Sequence, residues 1–493
     1  MVSPLLPAPS ALLLLLVHTF RLSSAFCPGS PRHRRPSTAA LPAVGRRDAI
    51  SLAAGSGGGL GGLLGGLGLG GGAASAATPS GEYKSAGPTN EVVRVVNGIK
   101  HRRLGGSGIV VSEVGLGTQR WASGDSNAPD EDTCMKFMDE AITGGGVNLL
   151  DTAEQYPIPS GGRGMAEGGT EELIGRWMRS RKVKRENVVI ATKITGGANV
   201  TPKNIKRDCE GSLKRLGTDY IDVYQTHWPA RYSPQANWGQ SLKYNQEVDA
   251  FAYKRGGPTS FEELCVAMEG LIVEGKIRGW GLCNDNAYGL TGCTRAAKAL
   301  GTTPPCSIQG DFSMIDRKSE ENGVAEAASP YNENVGFMSY NALAGGVLTG
   351  KYSTVPAAVD DPDRARGEAN LRSPRGRMDN RGWGQTLYRY RTYAALSATE
   401  QYKNIAEANG MSLAEMSLRW CRQRDMLTTT LVGHSDMGQL RETLKFFREK
   451  KPLPDQVMWD IDVVHMRNRT PIFSSNRVGR DWNGEGEIGE PIP

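Results

Sequence analysis

From residue 102 onward, apolar runs of strand length alternate with longer amphipathic stretches, and this alternation constrains the fold more tightly than any other feature of the chain. The runs occupy residues 114–116, 147–151, 188–192, 220–225, 277–282, 306–309, 335–340 and 428–432. Each is nearly continuous in hydropathy, so each needs cover on both faces, as strands of a parallel sheet receive from their crossover helices. Helix-start signals fall between them: Asp130 or Thr133 before a periodic segment to Ile142, Thr170 before Glu171 to Ile174, Thr201-Pro202, Thr259-Ser260, and Ser412. A β-rich opening around Leu104 and 109–111, with Gly105, Gly106 and Gly108 as turn residues, reads as a short N-terminal β-hairpin. Eight such strands closed on themselves form a (β/α)8 TIM barrel; left open, they form a doubly wound sheet. Periodicity admits both and favours the barrel.

Charge separates this body from what precedes it. Residues 1–100 hold nine basic and three acidic side chains, and the remaining 393 residues carry 49 of each, so the whole net charge of +6 lies in the first hundred. A neutral body gives no ground for the broad basic face of a nucleic-acid binder. The eight cysteines, at 27, 134, 209, 265, 283, 293, 306 and 421, form no C-x-x-C pair, which argues against a zinc module or a disulfide scaffold. No metal site is expected.

The first hundred residues read as an address. The apolar run from Leu12 to Val17 is too short to span a bilayer and has signal-peptide proportions. Arg32, Arg34, Arg35, Arg46 and Arg47 follow, with Asp48 as the single acidic residue, in the manner of a transit peptide. Together they resemble the bipartite plastid presequence of algae with secondary plastids, with Phe26 after the signal cleavage site. Arg46-Arg47, a tract with twelve glycines between Gly55 and Gly72, and Ala73-Ala74-Ser75-Ala76-Ala77 resemble a twin-arginine signal; a Gly-rich linker is the other reading. The expected location is a plastid, stroma in the second case and thylakoid lumen in the first. The expected organisation is presequence and linker over 1–95 without a fold of its own, barrel over 96–450, and C-terminal extension over 451–493.

Polar residues end several of the apolar runs: Asp151 with Tyr156 just beyond it, Lys193, His227 and Asn284. Catalysis in a barrel gathers at the C-terminal ends of the strands, where such groups are poorly solvated and need pairing or a task. Their chemistry is mutually consistent. A tyrosine can protonate a carbonyl oxygen as hydride reaches the carbon; a lysine beside it favours the phenolate; an aspartate holds the lysine; a histidine can hydrogen-bond the carbonyl. Taken singly, each also fits a turn cap, a loop aromatic, a rim charge or a satisfied core imidazole.

Gly146-Val147-Asn148-Leu149-Leu150-Asp151-Thr152-Ala153 leading to Tyr156, Ala191-Thr192-Lys193, and Leu216-Gly217-Thr218-Asp219-Tyr220-Ile221-Asp222 running to His227-Trp228-Pro229 resemble the aldo-keto reductases. So do Gly275-Lys276-Ile277-Arg278 and the segment from Leu343 to Tyr352. The surroundings of Tyr156 and His227 resemble the Tas-like and potassium-channel β-subunit-like members most. The resemblance implies an NADPH-dependent reductase of a small-molecule aldehyde or ketone, or alternatively an NADP(H)-binding regulatory or redox-sensing subunit with little turnover. It implies the catalytic set Asp151, Tyr156, Lys193 and His227. It also implies cofactor contacts from Gly117 and Thr118 near the nicotinamide, with Asp151, from Asn284 and Gln309 at the carboxamide, and from Tyr340 stacked on the ring. Leu343, Gly345 and Gly346 would line the pyrophosphate, Lys351 with Arg364 or Arg366 its charges, and Gly433, Ser435, Gln439, Glu442 and Thr443 the adenosine. Cys283 stands where Ser is usual, Asn341-Ala342 where Ser-Pro is, and Thr443 where Asn is, which points to weaker cofactor binding. His434, where a small residue is usual, reads as a solvated loop residue rather than a phosphate donor. Inserts after Tyr156 and His227 make long substrate-side loops; Tyr232, Trp238, Tyr244, Phe251 and Tyr253 either line a pocket or pack on one another. The resemblance calls for no membrane in the mature form and leaves the oligomeric state open.

Overall fold

The computed structural model describes residues 84–473, except 126, 162–163, 234–243, 248, 251–256, 353–375, 378–386, 388–389 and 391–392. The presequence features up to residue 83, and Arg364, Arg366, Trp238, Phe251, Tyr253 and Trp482, lie outside the described residues. The chain opens with β1 (Val92–Val96), β2 (Ile99–Arg103) and β3 (Val110–Ser112), an antiparallel sheet in that order. The expected hairpin is therefore three strands, and the expected boundary after residue 95 cuts through β1. Val92, Val93 and Val95 of β1 are exposed, so this strand carries no core signal that sets it apart from a linker.

Eight parallel strands follow: β4 (Val114–Gly117), β5 (Leu149–Asp151), β6 (Val189–Ile194), β7 (Ile221–Thr226), β8 (Ile277–Cys283), β9 (Ser307–Asp311), β10 (Gly336–Tyr340) and β11 (Leu427–Val432). They close in the order β10-β11-β4-β5-β6-β7-β8-β9, with β9 bonded back to β10. All eight expected runs are strands, and the closed (β/α)8 barrel is the form adopted. Leu149, Ala191, Val223, Met338 and Leu431 fill its interior, and the larger apolar cluster lies between strands and helices.

The helices are α1 (Glu131–Met138), α2 (Gly169–Ser180), α3 (Pro202–Leu216), α4 (Phe261–Val273), α5 (Ala287–Leu300), the short α6 (Lys318–Glu321) and α7 (Val324–Ala328), α8 (Tyr393–Ala408), α9 (Leu413–Arg422), α10 (Met437–Arg448) and α11 (Asp455–Arg467). Asp130, Thr201, Ser260 and Ser412 cap α1, α3, α4 and α9 through their side chains, and Ser260 with Glu263 completes a capping box. Thr170 does not cap α2: the helix already begins at Gly169, after the left-handed Gly168, and the Thr170 hydroxyl is buried with no partner among the described residues. Within the expected C-terminal extension, Asp455–Arg467 form α11, whose Val457, Ile461 and Val464 are buried against the body. Among the described residues no helix is long and apolar enough to cross a membrane.

Candidate active site

The ends of β4, β5 and β6 are tied together before any side chain acts. The Thr118 amide and hydroxyl both donate to the Asp151 carbonyl, at 3.1 and 2.9 Å, and the Thr152 amide donates to the Ala191 carbonyl at 2.8 Å. Beyond β5 the chain turns back on itself, the Tyr156 amide bonding the Ala153 carbonyl and the Tyr156 carbonyl accepting from Thr170. This turn sets the phenol over the barrel mouth. His227 follows β7, its amide bonded to Ile194 and its ring stacked on Trp228 at 4.0 Å.

The four expected residues meet. Lys193 is wholly buried, and its ammonium donates to Asp151 Oδ1 at 2.7 Å and to the Thr152 carbonyl at 2.8 Å. It lies 5.3 Å from the centre of the Tyr156 ring, which meets the His227 ring edge-on at 5.7 Å. Burial works against the Lys193 charge, but Asp151 and the neighbouring acidic groups outweigh it and hold the ammonium's pKa above its ordinary value. Burial also pushes the Tyr156 phenol up, and Lys193 pulls it down by less. The lysine thus lowers the phenol's pKa as expected from the pairing, but burial leaves it above its ordinary value. Burial, reinforced by the Lys193 charge, drives the His227 pKa well down and keeps its imidazole neutral. Its Nδ1 has no partner among the described residues.

A cavity of about 470 Å³ opens above this cluster and runs from Tyr156 and His227 to the start of α10. Of the expected residues it is lined by Gly117, Thr118, Asp151, Cys283, Asn284, Gln309, Tyr340, Leu343, Gly345, Gly346, Lys351, Gly433, Ser435, Gln439, Glu442 and Thr443. Lys193 is not among its lining residues and lies beneath it. Gly345 and Gly346 adopt φ of 64° and 98°, the left-handed region that favours glycine, so the cavity meets bare backbone there. Two expected contacts are engaged with the protein itself. Gln309 donates to Asp151 Oδ2 at 2.7 Å and accepts from the Cys283 thiol at 3.5 Å, while Asn284 donates to the His227 carbonyl at 2.9 Å and accepts from Tyr340 at 2.5 Å. Polar contacts thus run unbroken from Cys283 to Lys193.

His434 is not a solvated loop residue. It is 6% exposed, packs edge-on against Phe137 at 6.0 Å and bonds Thr443 Oγ1 at 3.0 Å, and burial lowers its pKa to about 4. Of the insert aromatics that are described, Tyr232 and Tyr244 pack on each other at 5.8 Å and neither lines the cavity. Sequence reasoning missed Gln119, Arg120 and Arg377, which do; Arg377 donates to Gln119 Oε1 at 2.7 Å. Gln119 and Arg120 directly follow Thr118 and could have been inferred, whereas nothing local marks Arg377. Among the described residues no cluster of His, Cys, Asp or Glu could hold a metal ion.

The family model for aldo/keto reductases matches residues 113–465, more than two thirds of the chain. The chain belongs to the aldo/keto reductase family. This aldo/keto reductase is 31% identical to protein Tas of Escherichia coli K12 over 382 residues, covering 74% of this chain and 98% of that protein. It is 31% identical over 297 residues to an aldo-keto reductase of Babesia bovis, covering 58% of this chain and 98% of the relative. A probable voltage-gated potassium channel subunit beta of Oryza sativa subsp. japonica is 26% identical over 372 residues, at 74% and 96% coverage. Membership makes the protein an oxidoreductase by class.

Proposed function

We propose that this aldo/keto reductase transfers hydride from NADPH to an aldehyde or ketone, with Tyr156 as general acid. The observation that carries the reading is the juxtaposition of the Asp151–Lys193 pair at 2.7 Å with Tyr156 and a neutral His227 at one end of a long cavity. The cavity's residues fit an extended dinucleotide: the aromatic Tyr340 in one wall, the Gly345-Gly346 backbone beyond it, Lys351 and Arg377 for phosphate charge, and Ser435 with the N-terminus of α10 at the far end. The bound cofactor supplies the hydride. Tyr156, kept protonated by burial, donates its proton to the carbonyl oxygen, and Lys193 stabilises the phenolate left behind. Asp151 keeps Lys193 charged and aimed, and the neutral His227 offers an N–H to the same oxygen.

Tyr156→Phe is expected to lower kcat by about 10²- to 10⁴-fold while NADPH binding persists. Undiminished turnover of small carbonyls would sink the assignment. The rice relative is named a probable channel subunit, and a second reading is an NADP(H)-binding regulatory or redox-sensing subunit with little turnover. Tight NADPH binding with no oxidation across a carbonyl panel would favour it. We further propose delivery to a plastid on the strength of residues 1–77; N-terminal sequencing of the mature protein tests it, a start near Ala77 marking the lumen.

A further inference from the structure

Helix α11 has two apolar faces, and the body of the protein uses one. Val457, Ile461 and Val464 are buried, His465 bonds Glu321 at 2.5 Å, and Asp462 pairs with Arg317 at 2.5 Å. On the opposite side Trp459, Val463 and Met466 are 64%, 37% and 61% exposed. Their i, i+4, i+7 spacing aligns them in one stripe along the outer surface. A single exposed leucine or valine needs no explanation, but a tryptophan continued by two further apolar side chains at helical spacing marks a contact surface.

Charge selects the occupant. The N-terminal half of the outer surface carries Asp455 and, at its flank, the partly exposed Asp460, which accepts from Gln456 at 2.9 Å; its C-terminal end carries Arg467, which also donates to Gln401, with Arg469 just beyond the helix and over Met466 Sδ at 3.3 Å. Reversed upon itself, this arrangement is self-complementary. An antiparallel second copy sets Val463 on Val463 at a two-fold axis, Trp459 on Met466, and the Asp455–Asp460 end of each helix beside the Arg467–Arg469 end of the other. The helix dipoles oppose favourably in the same arrangement. A parallel copy places like charges together. We infer that the outer stripe of α11 is an isologous homodimer interface, with Trp459 as its anchor.

Sedimentation velocity of the full chain at micromolar concentrations tests this, with a concentration-dependent species of twice the monomer mass expected. Trp459→Asp is expected to weaken association at least tenfold, with an unchanged melting transition because the side chain lies outside the core. Asp460→Arg and Arg467→Glu are each expected to weaken it several-fold and, combined in one chain, to restore it, since each helix presents both changes to the other. Added salt should weaken the wild type. A monomer at every concentration overturns the inference, as does a dimer indifferent to Trp459→Asp. A monomer whose Trp459 is shielded from an aqueous quencher also overturns it, assigning the stripe to another segment of the same chain. Failure of the charge restoration overturns the antiparallel geometry.

Discussion

The barrel holds a buried ion cluster at each end, and the two differ in what they face. At the N-terminal end Glu113 meets the Arg422 guanidinium at 3.1 Å and that of Arg102 at 3.6 Å, and accepts the Lys100 amide at 3.0 Å. Beside it Asn148 accepts from the Ser112 amide at 2.7 Å and donates to the Val110 carbonyl at 2.9 Å. The antiparallel sheet lies across this end, and Glu113 is not among the residues that line the cavity above Tyr156. At the C-terminal end Lys193 is wholly buried, against 11% and 13% exposure for the Arg422 and Arg102 side chains, yet Tyr156, His227 and Asp151 itself line the large cavity. Both clusters offset charge burial by pairing. What separates the upper cluster from the lower is access to a cavity.

The largest expected effect comes from breaking the upper cluster. Lys193→Met removes the positive charge beside Asp151, so a loss of more than about 10³-fold in turnover is expected together with about 3–5 kcal/mol of stability. Glu113→Gln breaks the lower one and is expected to lose stability of the same order, about 3–5 kcal/mol, with kcat unchanged. Steady-state kinetics and urea unfolding on both variants decide the matter. A Glu113 variant as inactive as the Lys193 variant, once folded, would show that the two ends are coupled.

A smaller effect follows from His434 at the far end of the cavity. Burial lowers its pKa to about 4 from 6.5, so in that window the unfolded chain binds a proton that the folded chain does not. Stability therefore falls as pH drops from 6.5 towards 4, by at most about 1.4 kcal/mol per pH unit for this group. His227, also held neutral by burial, acts in the same direction. Replacing His434 by Gln is expected to flatten the wild-type difference in urea stability between pH 7 and pH 5. An identical slope in the variant would mean that the imidazole is not held neutral.

What was legible in the sequence follows the range of the interactions concerned. The eight strands were visible because each must be apolar on both faces, and Ser260 or Ser412 because a cap and its partner lie three residues apart. Asp151, Tyr156, Lys193 and His227 stood out as polar groups at the ends of apolar runs. Contacts closed only by the fold left no local trace. Gln309 reaches Asp151 across 158 positions and Arg377 reaches Gln119 across 258. His434 was misread for the same reason: it sits in a loop, and its burial comes from Phe137 and Thr443 on two helices. Thr170 shows the converse, a cap signal displaced by a left-handed glycine two residues earlier.

The smallest expected effect tests whether access alone distinguishes the two ends, or whether the upper cluster is also less tightly held. Gln309 joins Asp151 to the proposed carboxamide site, and the group bracing its far side is the Cys283 thiol, a weak donor whose Sγ lies 3.5 Å from Gln309 Oε1. Burial raises that thiol to about 12, so it braces as a neutral S–H and not as a thiolate. A hydroxyl in its place is a stronger donor on a shorter bond. Cys283→Ser is therefore expected to fix the Gln309 amide and to tighten NADPH binding by up to about tenfold, the worth of one added hydrogen bond of ~0.5–1.5 kcal/mol. Titration of cofactor fluorescence reads it directly. Unchanged affinity would show that Asp151 alone already holds Gln309 in place, making the upper cluster as rigid as the lower and leaving the cavity as the whole of the difference.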